Sequence, residues 1–175
     1  GVMNQVAIQE AANIRFPMEN FIGIWWSGSE NDVLPAGDAA DGYKALTFHG
    51  VGTDYPVFDD VQKYVVDTGK ASGTGEQVGT VLYNRGLYQA ALLAESVKVA
   101  QEIHGVADIT ASMMRDGLEN LVISDEIMEA IGLKGFGPNF SVTCKNHGGP
   151  GLGAVAQWNA TTGEWSLITG FEPTD

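Results

Sequence analysis

Segments with helical spacing alternate along the chain with short apolar runs of strand length. Met3, Ala7, Ala11 and Ile14 repeat at helical intervals, and Asn4, Gln9 and Glu10 supply polar positions, which predicts an opening helix. The run FIGIWW at 21–26 has strand length, and SGSEND then breaks it with turn-forming residues. Helix, strand and polar loop in that order form a unit of an α/β domain. Almost nothing precedes this helix, so the numbered chain is expected to begin partway through a larger protein.

A second strand is predicted over 43–49, followed by a loop or crossover at 50–56. Val57, Val61, Tyr64 and Val65 keep helical spacing, with Asp59 and Asp60 in the first turn, where negative charge favours the free amides. Residues 70–75 read as a Gly/Ser/Thr linker. The clearest helix spans 77–102: Tyr83, Leu87, Ala90, Ala91, Ala94 and Val97 form a near-continuous apolar stripe, and Gln89, Glu95, Lys98 and Glu102 are polar. Asp108 is placed to cap another helix with Met113 and Met114 on its inner side, and Ser124 starts a shorter one that ends near Gly132. After Gly135 alternation replaces helical spacing. A strand is predicted over 140–144, and a hairpin joins 154–158 to 165–169 around 159–163.

Charge narrows the partners. Nine basic residues against 22 acidic ones give the 175-residue chain a net charge of -13. The bases stand singly, so no patch is present to overcome the field that repels a phosphate backbone or an anionic lipid surface. Nucleic acid is therefore not an expected partner. No stretch approaches the roughly 20 apolar residues of a membrane span, and the start lacks a basic segment with a hydrophobic core. Neither membrane insertion nor an export signal within these residues is expected. The single Cys144 forms no internal disulfide.

Few patterns carry reaction chemistry. His49, His104 and His147 are not paired at i,i+4, and Cys144 with His147 is at most half of a metal site. Gly69, Lys70, Ser72, Gly73 and Gly75 have the composition of a phosphate loop without its order. His147-Gly148-Gly149 echoes an oxyanion loop, yet no GxSxG elbow accompanies it. The acidic pairs Asp59-Asp60 and Asp125-Glu126 are explained by helix starts. No catalysis, metal or cofactor is expected. Trp25, Trp26 and Ser27 are more informative, because two indoles ending a strand before a glycine-containing loop suit a concave apolar site with nearby hydroxyls. Core filling is the alternative for each indole.

Taken together, FIGIWWSGSENDVLPAGDAADGY at 21–43, VGTVLYNRGLYQA at 78–90 and GPNFSVTCKNHGGPGLGAVAQW at 137–158 resemble the C-terminal part of a type I periplasmic solute-binding protein of the branched-chain amino acid (Leu/Ile/Val) ABC transporter family. The resemblance implies an α/β chain forming the later half of a two-lobed fold with a C-terminal β-hairpin. Residues 1–49 would belong to lobe two, 50–150 to the second half of lobe one, and 151–175 would return to lobe two. A small solute is trapped between such lobes when they close. The family's first half is missing from this stretch, so the uncovered surfaces are expected to pair with another chain, as a homodimer.

The same resemblance places Trp25 where the leucine-binding type holds an acidic group for the solute's ammonium. An indole face offsets that loss only partly, by cation–π attraction of about 0.5–2 kcal/mol. Amides, aromatic or branched acids and other small solutes stay open, and Glu30 restores a carboxylate if the loop bends differently. Tyr83 matches a cleft-lining position. Arg85 either presents a guanidinium to a carboxylate solute or makes an interlobe contact. The implied function is non-catalytic binding of an amino acid, amide or carboxylate for delivery to a membrane permease, outside the cytoplasm. A ligand-sensing receptor domain and a structural oligomer with no working pocket are the alternatives.

Overall fold

The computed structural model describes residues 2–173, and one five-stranded sheet and one long helix organise them. The opening helix α1 (Val2–Asn13) leads through a 3-10 turn to the short strand β1 (Ile22–Gly23). Next come a second 3-10 turn (Trp25–Ser27), helix α2 (Glu30–Val33), a 3-10 stretch (Leu34–Ala40) and strand β2 (Lys44–Thr47). The chain then builds helix α3 (Val57–Val61), which runs on as a π-helical turn (Gln62–Val66), and the long helix α4 (Val81–His104). Helix α5 (Ala111–Glu119), strand β3 (Val122–Ile123), helix α6 (Asp125–Ala130) and strand β4 (Phe140–Ser141) follow. Strands β5 (Leu152–Asn159), β6 (Glu164–Leu167) and β7 (Glu172–Pro173) complete the described fold.

The sheet is mixed. β1 lies parallel to β2, β2 antiparallel to β5, and both β6 and β7 antiparallel to β5. The register pairs Ala45 with Ala156 and Trp158 with Trp165, so small residues meet at the centre and the indoles meet at the hairpin. A separate two-stranded sheet joins β3 to β4.

Two apolar cores result. The first gathers Ile8, Val33, Tyr43, Ala45, Trp158 and Trp165 around the large sheet. The second gathers Phe58, Tyr88, Leu121, Ile123, Met128, Leu133 and Phe136 around α4 and the small sheet. Helix α4 belongs to both: its first residue, Val81, is buried in the first core, while Tyr88 is buried in the second. Helix α5 packs closely on α4, because a Cβ at Gly117 would lie 2.2 Å from the Ser96 carbonyl oxygen.

Several elements differ from their sequence pattern, each for a local reason. The strand expected over 21–26 pairs only at Ile22 and Gly23, because the backbone turns at Trp25. On α1 most of the apolar series faces outward: Met3 is 84% and Ile14 76% exposed, whereas Ala11 packs against the first core and Ile8 is buried. The inward positions are polar because the irregular segment beneath them has carbonyls to satisfy. The Asn4 amide donates to the Trp26 carbonyl and to Asp32 Oδ1, Gln5 to the Asn31 carbonyl, and Gln9 to the Pro35 carbonyl. The long helix starts at Val81 rather than 77, capped by the Thr80 hydroxyl. Thr110, not Asp108, caps α5. Glu95 sits on the polar side of the sequence pattern, yet it is buried and paired with Lys98. Tyr64 points to solvent.

Exposed apolar side chains concentrate on α1 and the β1 side. Val2, Met3, Ile14, Ile22, Ile24 and Trp26 are all more than half exposed. The outer edge of β1 has no strand partner among the described residues.

Candidate functional site

The segment between β1 and α2 is shaped by close packing and local hydrogen bonds. Gly23 ends β1 because a Cβ there would lie 1.9 Å from the Tyr43 hydroxyl. The 3-10 turn follows, with the Ser27 hydroxyl donating to the Ile24 carbonyl at 2.8 Å. Tyr43 donates its hydroxyl toward Ser27, with the Ser27 Oγ at 3.0 Å. At the start of α2, Asp32 accepts from the Ser29 backbone N–H at 3.1 Å and from its hydroxyl at 2.6 Å, and its own N–H donates to the Ser29 carbonyl at 3.0 Å.

This segment is clasped to the first turns of α4. Glu30 places both carboxylate oxygens 3.2 Å from the Val81 N–H. That donor has no partner within its helix, and the positive end of the helix dipole favours the carboxylate. Burial nevertheless raises the Glu30 pKa, against the lowering by its backbone hydrogen bonds. One turn further, Arg85 donates to the Trp25 carbonyl at 3.1 Å and lies over the Trp25 ring at 4.7 Å. Trp25 stacks on Trp26 at 3.9 Å and meets the edge of Phe48 at 5.9 Å. Desolvation lowers the Arg85 pKa from 12.5, and Asp32 opposes that shift.

Of the residues that sequence reasoning selected, Trp25, Trp26, Glu30 and Arg85 therefore converge. Ser27 is adjacent, but its side chain is buried against Tyr43. Tyr83 is not brought to this cluster; its ring packs against the second core. The cation over Trp25 is the protein's own Arg85. The sequence reading missed Phe48, Asn84 and Tyr88. Asn84 had a usable signal, since it is a polar residue one turn from both Val81 and Tyr88 on the buried side of α4. It is fully buried, and its amide donates to the Gly50 carbonyl at 3.3 Å and the Gly52 carbonyl at 2.9 Å.

Phe48 also lines a groove of about 390 Å³ with Tyr88, Leu92, Pro138, Phe140, Val142 and the glycine-rich segment 147–151. A second concavity, of about 640 Å³, lies on the Glu30 side, bounded by 51–55, 78–80 and 163–167. Among the described residues no group of three His, Cys, Asp or Glu could hold a metal ion. Cys144 is exposed, and His147 meets Glu119 at 3.5 Å.

No protein-family model matches the chain, and no curated protein does. A solved structure of an ABC transporter permease from the Pseudomonas fluorescens group is 36% identical, with a TM-score of 0.92, over 100% of this chain and 42% of that one. A branched-chain amino acid ABC transporter from Thermus thermophilus with bound valine is 19% identical, with a TM-score of 0.67, over 97% of this chain and 43% of that one. The fold is that of part of a type I periplasmic-binding protein. The chain spans less than half the length of either neighbour, and both neighbours carry ABC transporter names. Among the described residues no helix is long and apolar enough to cross a membrane.

In the loop after β2, His49 supplies a pH dependence. Its Nδ1 lies 2.9 Å from the Gly50 carbonyl, which can only accept, so Nδ1 carries the proton, and the buried Nε2 has no partner. Burial lowers the His49 pKa from 6.5 to about 4. The unfolded chain therefore binds the proton first as pH falls. Stability from the neutral ring is complete above pH 6.5 and is lost progressively toward pH 4. Urea unfolding of the wild type is expected to lose about 3 kcal/mol through this group over that interval, a loss absent from His49→Gln. Equal pH profiles for the two proteins would contradict it.

Proposed function

We propose that this chain is part of a non-catalytic, extracytoplasmic solute-binding protein that captures a small organic molecule and delivers it to an ABC-type membrane permease. The observation that carries the reading is the likeness over its whole length to the 36% identical ABC transporter protein. The contacts between the 25–30 segment and α4 support it, because they join the two cores at a boundary lined with indole, phenyl and guanidinium groups. Residues 1–49 and 151–175 act as portions of one lobe and 50–150 as a portion of the other. Closure about the crossing segments at 48–51 and 136–152 traps the solute. Binding free energy comes from aromatic contact and desolvated hydrogen bonds, with no bond made or broken.

The uncovered α1 face and the free β1 edge favour a second element of the proposal. A second copy of the chain pairs at this surface and buries Met3, Ile14, Ile22 and Ile24, which are all more than half exposed.

Isothermal titration of the full-length protein against amino acids, short amides and carboxylates is expected to give saturable heat with at least one solute. Silence across the panel would remove the solute-binding reading. Light scattering of the chain at high micromolar concentration is expected to give twice the 18.6 kDa mass. A monomer there would exclude the pairing.

A further inference from the structure

Arg85 differs from the other bases. Of the nine basic residues only Lys44 and Arg85 are half-buried, and the Lys44 ammonium donates to the Glu19 carbonyl. Arg85 has five N–H donors in a planar fork. Among the described residues its one hydrogen bond goes to the Trp25 carbonyl, which leaves most of the fork unused. Asp32 influences it electrostatically, but the Asp32 oxygens accept from Ser29 and Asn4.

The fork lies one helical turn from an apolar groove that it does not itself line. Arg85, Tyr88 and Leu92 follow one another at i, i+3 and i+7, along one face of α4. Tyr88 and Leu92 line the groove of about 390 Å³, and so does Phe48, whose ring meets Trp25 beneath the guanidinium. No Asp or Glu side chain lines it. Nearby carboxylates are engaged elsewhere: Glu30 accepts from the Val81 N–H, and Glu119 meets His147 at 3.5 Å on the far side. A guanidinium for an anion thus stands beside the groove, through Trp25 and Phe48, while the lining gives an ammonium no Asp or Glu acceptor.

We propose that this groove takes an organic carboxylate with an aromatic or branched apolar body and no ammonium group. Its carboxylate pairs with the Arg85 fork beside Trp25, and its body lies against Phe48, Tyr88 and Leu92. The planar fork suits two parallel hydrogen bonds to one carboxylate, and the low-dielectric surroundings strengthen them. The indole under the guanidinium holds it in place, so less freedom is lost on binding. This inference deepens the solute-binding reading above and rests on it.

Three probes of one body separate the possibilities: phenylacetate, phenylacetamide and L-phenylalanine, each titrated calorimetrically into the full-length protein beside L-leucine. Phenylacetate is expected to bind at least about tenfold more tightly than the other three, because phenylacetamide loses the charge-assisted hydrogen-bond pair and the two amino acids bring an ammonium that the lining leaves without a charged acceptor. Arg85→Gln is expected to lose that preference, and Arg85→Lys to keep part of it, at melting temperatures that show both variants folded. Tightest binding of L-phenylalanine, L-leucine or phenylacetamide would overturn the proposed class and leave solute binding intact. An Arg85→Gln protein that melts as the wild type does and still prefers phenylacetate would overturn the role of Arg85. Silence with these four and with the wider panel would instead bring down the solute-binding reading.

Discussion

The first turn of α4 is the joint on which the described fold depends. A helix start leaves backbone N–H groups without partners, and here the Glu30 carboxylate at the start of α2 fills one of them. Three residues of that turn then act together. Val81 plants the helix in the first core, Asn84 holds the Gly50 and Gly52 carbonyls of the loop after β2, and Arg85 grips the Trp25 carbonyl and ring. The two cores are consequently tied through polar contacts rather than through one continuous apolar interior. Contacts of this kind suit the closure proposed above, because they can be exchanged for water at a smaller cost than apolar packing.

The same joint sets the electrostatics of the groove. A chain with a net charge of -13 would ordinarily repel an anion. Arg85 counters this locally: it contacts the Trp25 ring and carbonyl, and Asp32, whose oxygens accept from Ser29 and Asn4, favours its charged form. The stack of Trp26, Trp25 and Arg85 also explains why Trp25 is only half-buried in a position that sequence alone left divided between core and site.

Much of this architecture was legible in the sequence. The β5–β6 hairpin, the β2 strand and the long helix follow from alternation and helical spacing, and Ser124 caps α6 as its residue type suggests. Periodicity misled where tertiary hydrogen bonding outweighed it. The inner face of α1 is read from Asn4, Gln5 and Gln9, whose amides serve carbonyls between 26 and 35, and no apolar pattern encodes that demand. In the candidate site, Trp25, Glu30 and Arg85 were reachable from composition and resemblance. Their mutual contacts were not, because they pair residues 51 to 60 positions apart. Phe48 and Tyr88 escaped notice because an aromatic near a core is unremarked until a groove is seen beside it.

The account turns on whether the contacts of Glu30 and Arg85 with their partners hold the two cores as one cooperative unit. All four tryptophans belong to the first core or to the segment clasped on α4, whereas α4 is the longest helix, so two optical signals report the two sides. Urea unfolding followed by tryptophan fluorescence and by far-UV circular dichroism is the direct test. Coincident transitions in the wild type that separate in the Glu30→Ala, Arg85→Ala double variant are predicted. Separate transitions in the wild type, or a double variant whose signals still coincide, would contradict a joint at the start of α4.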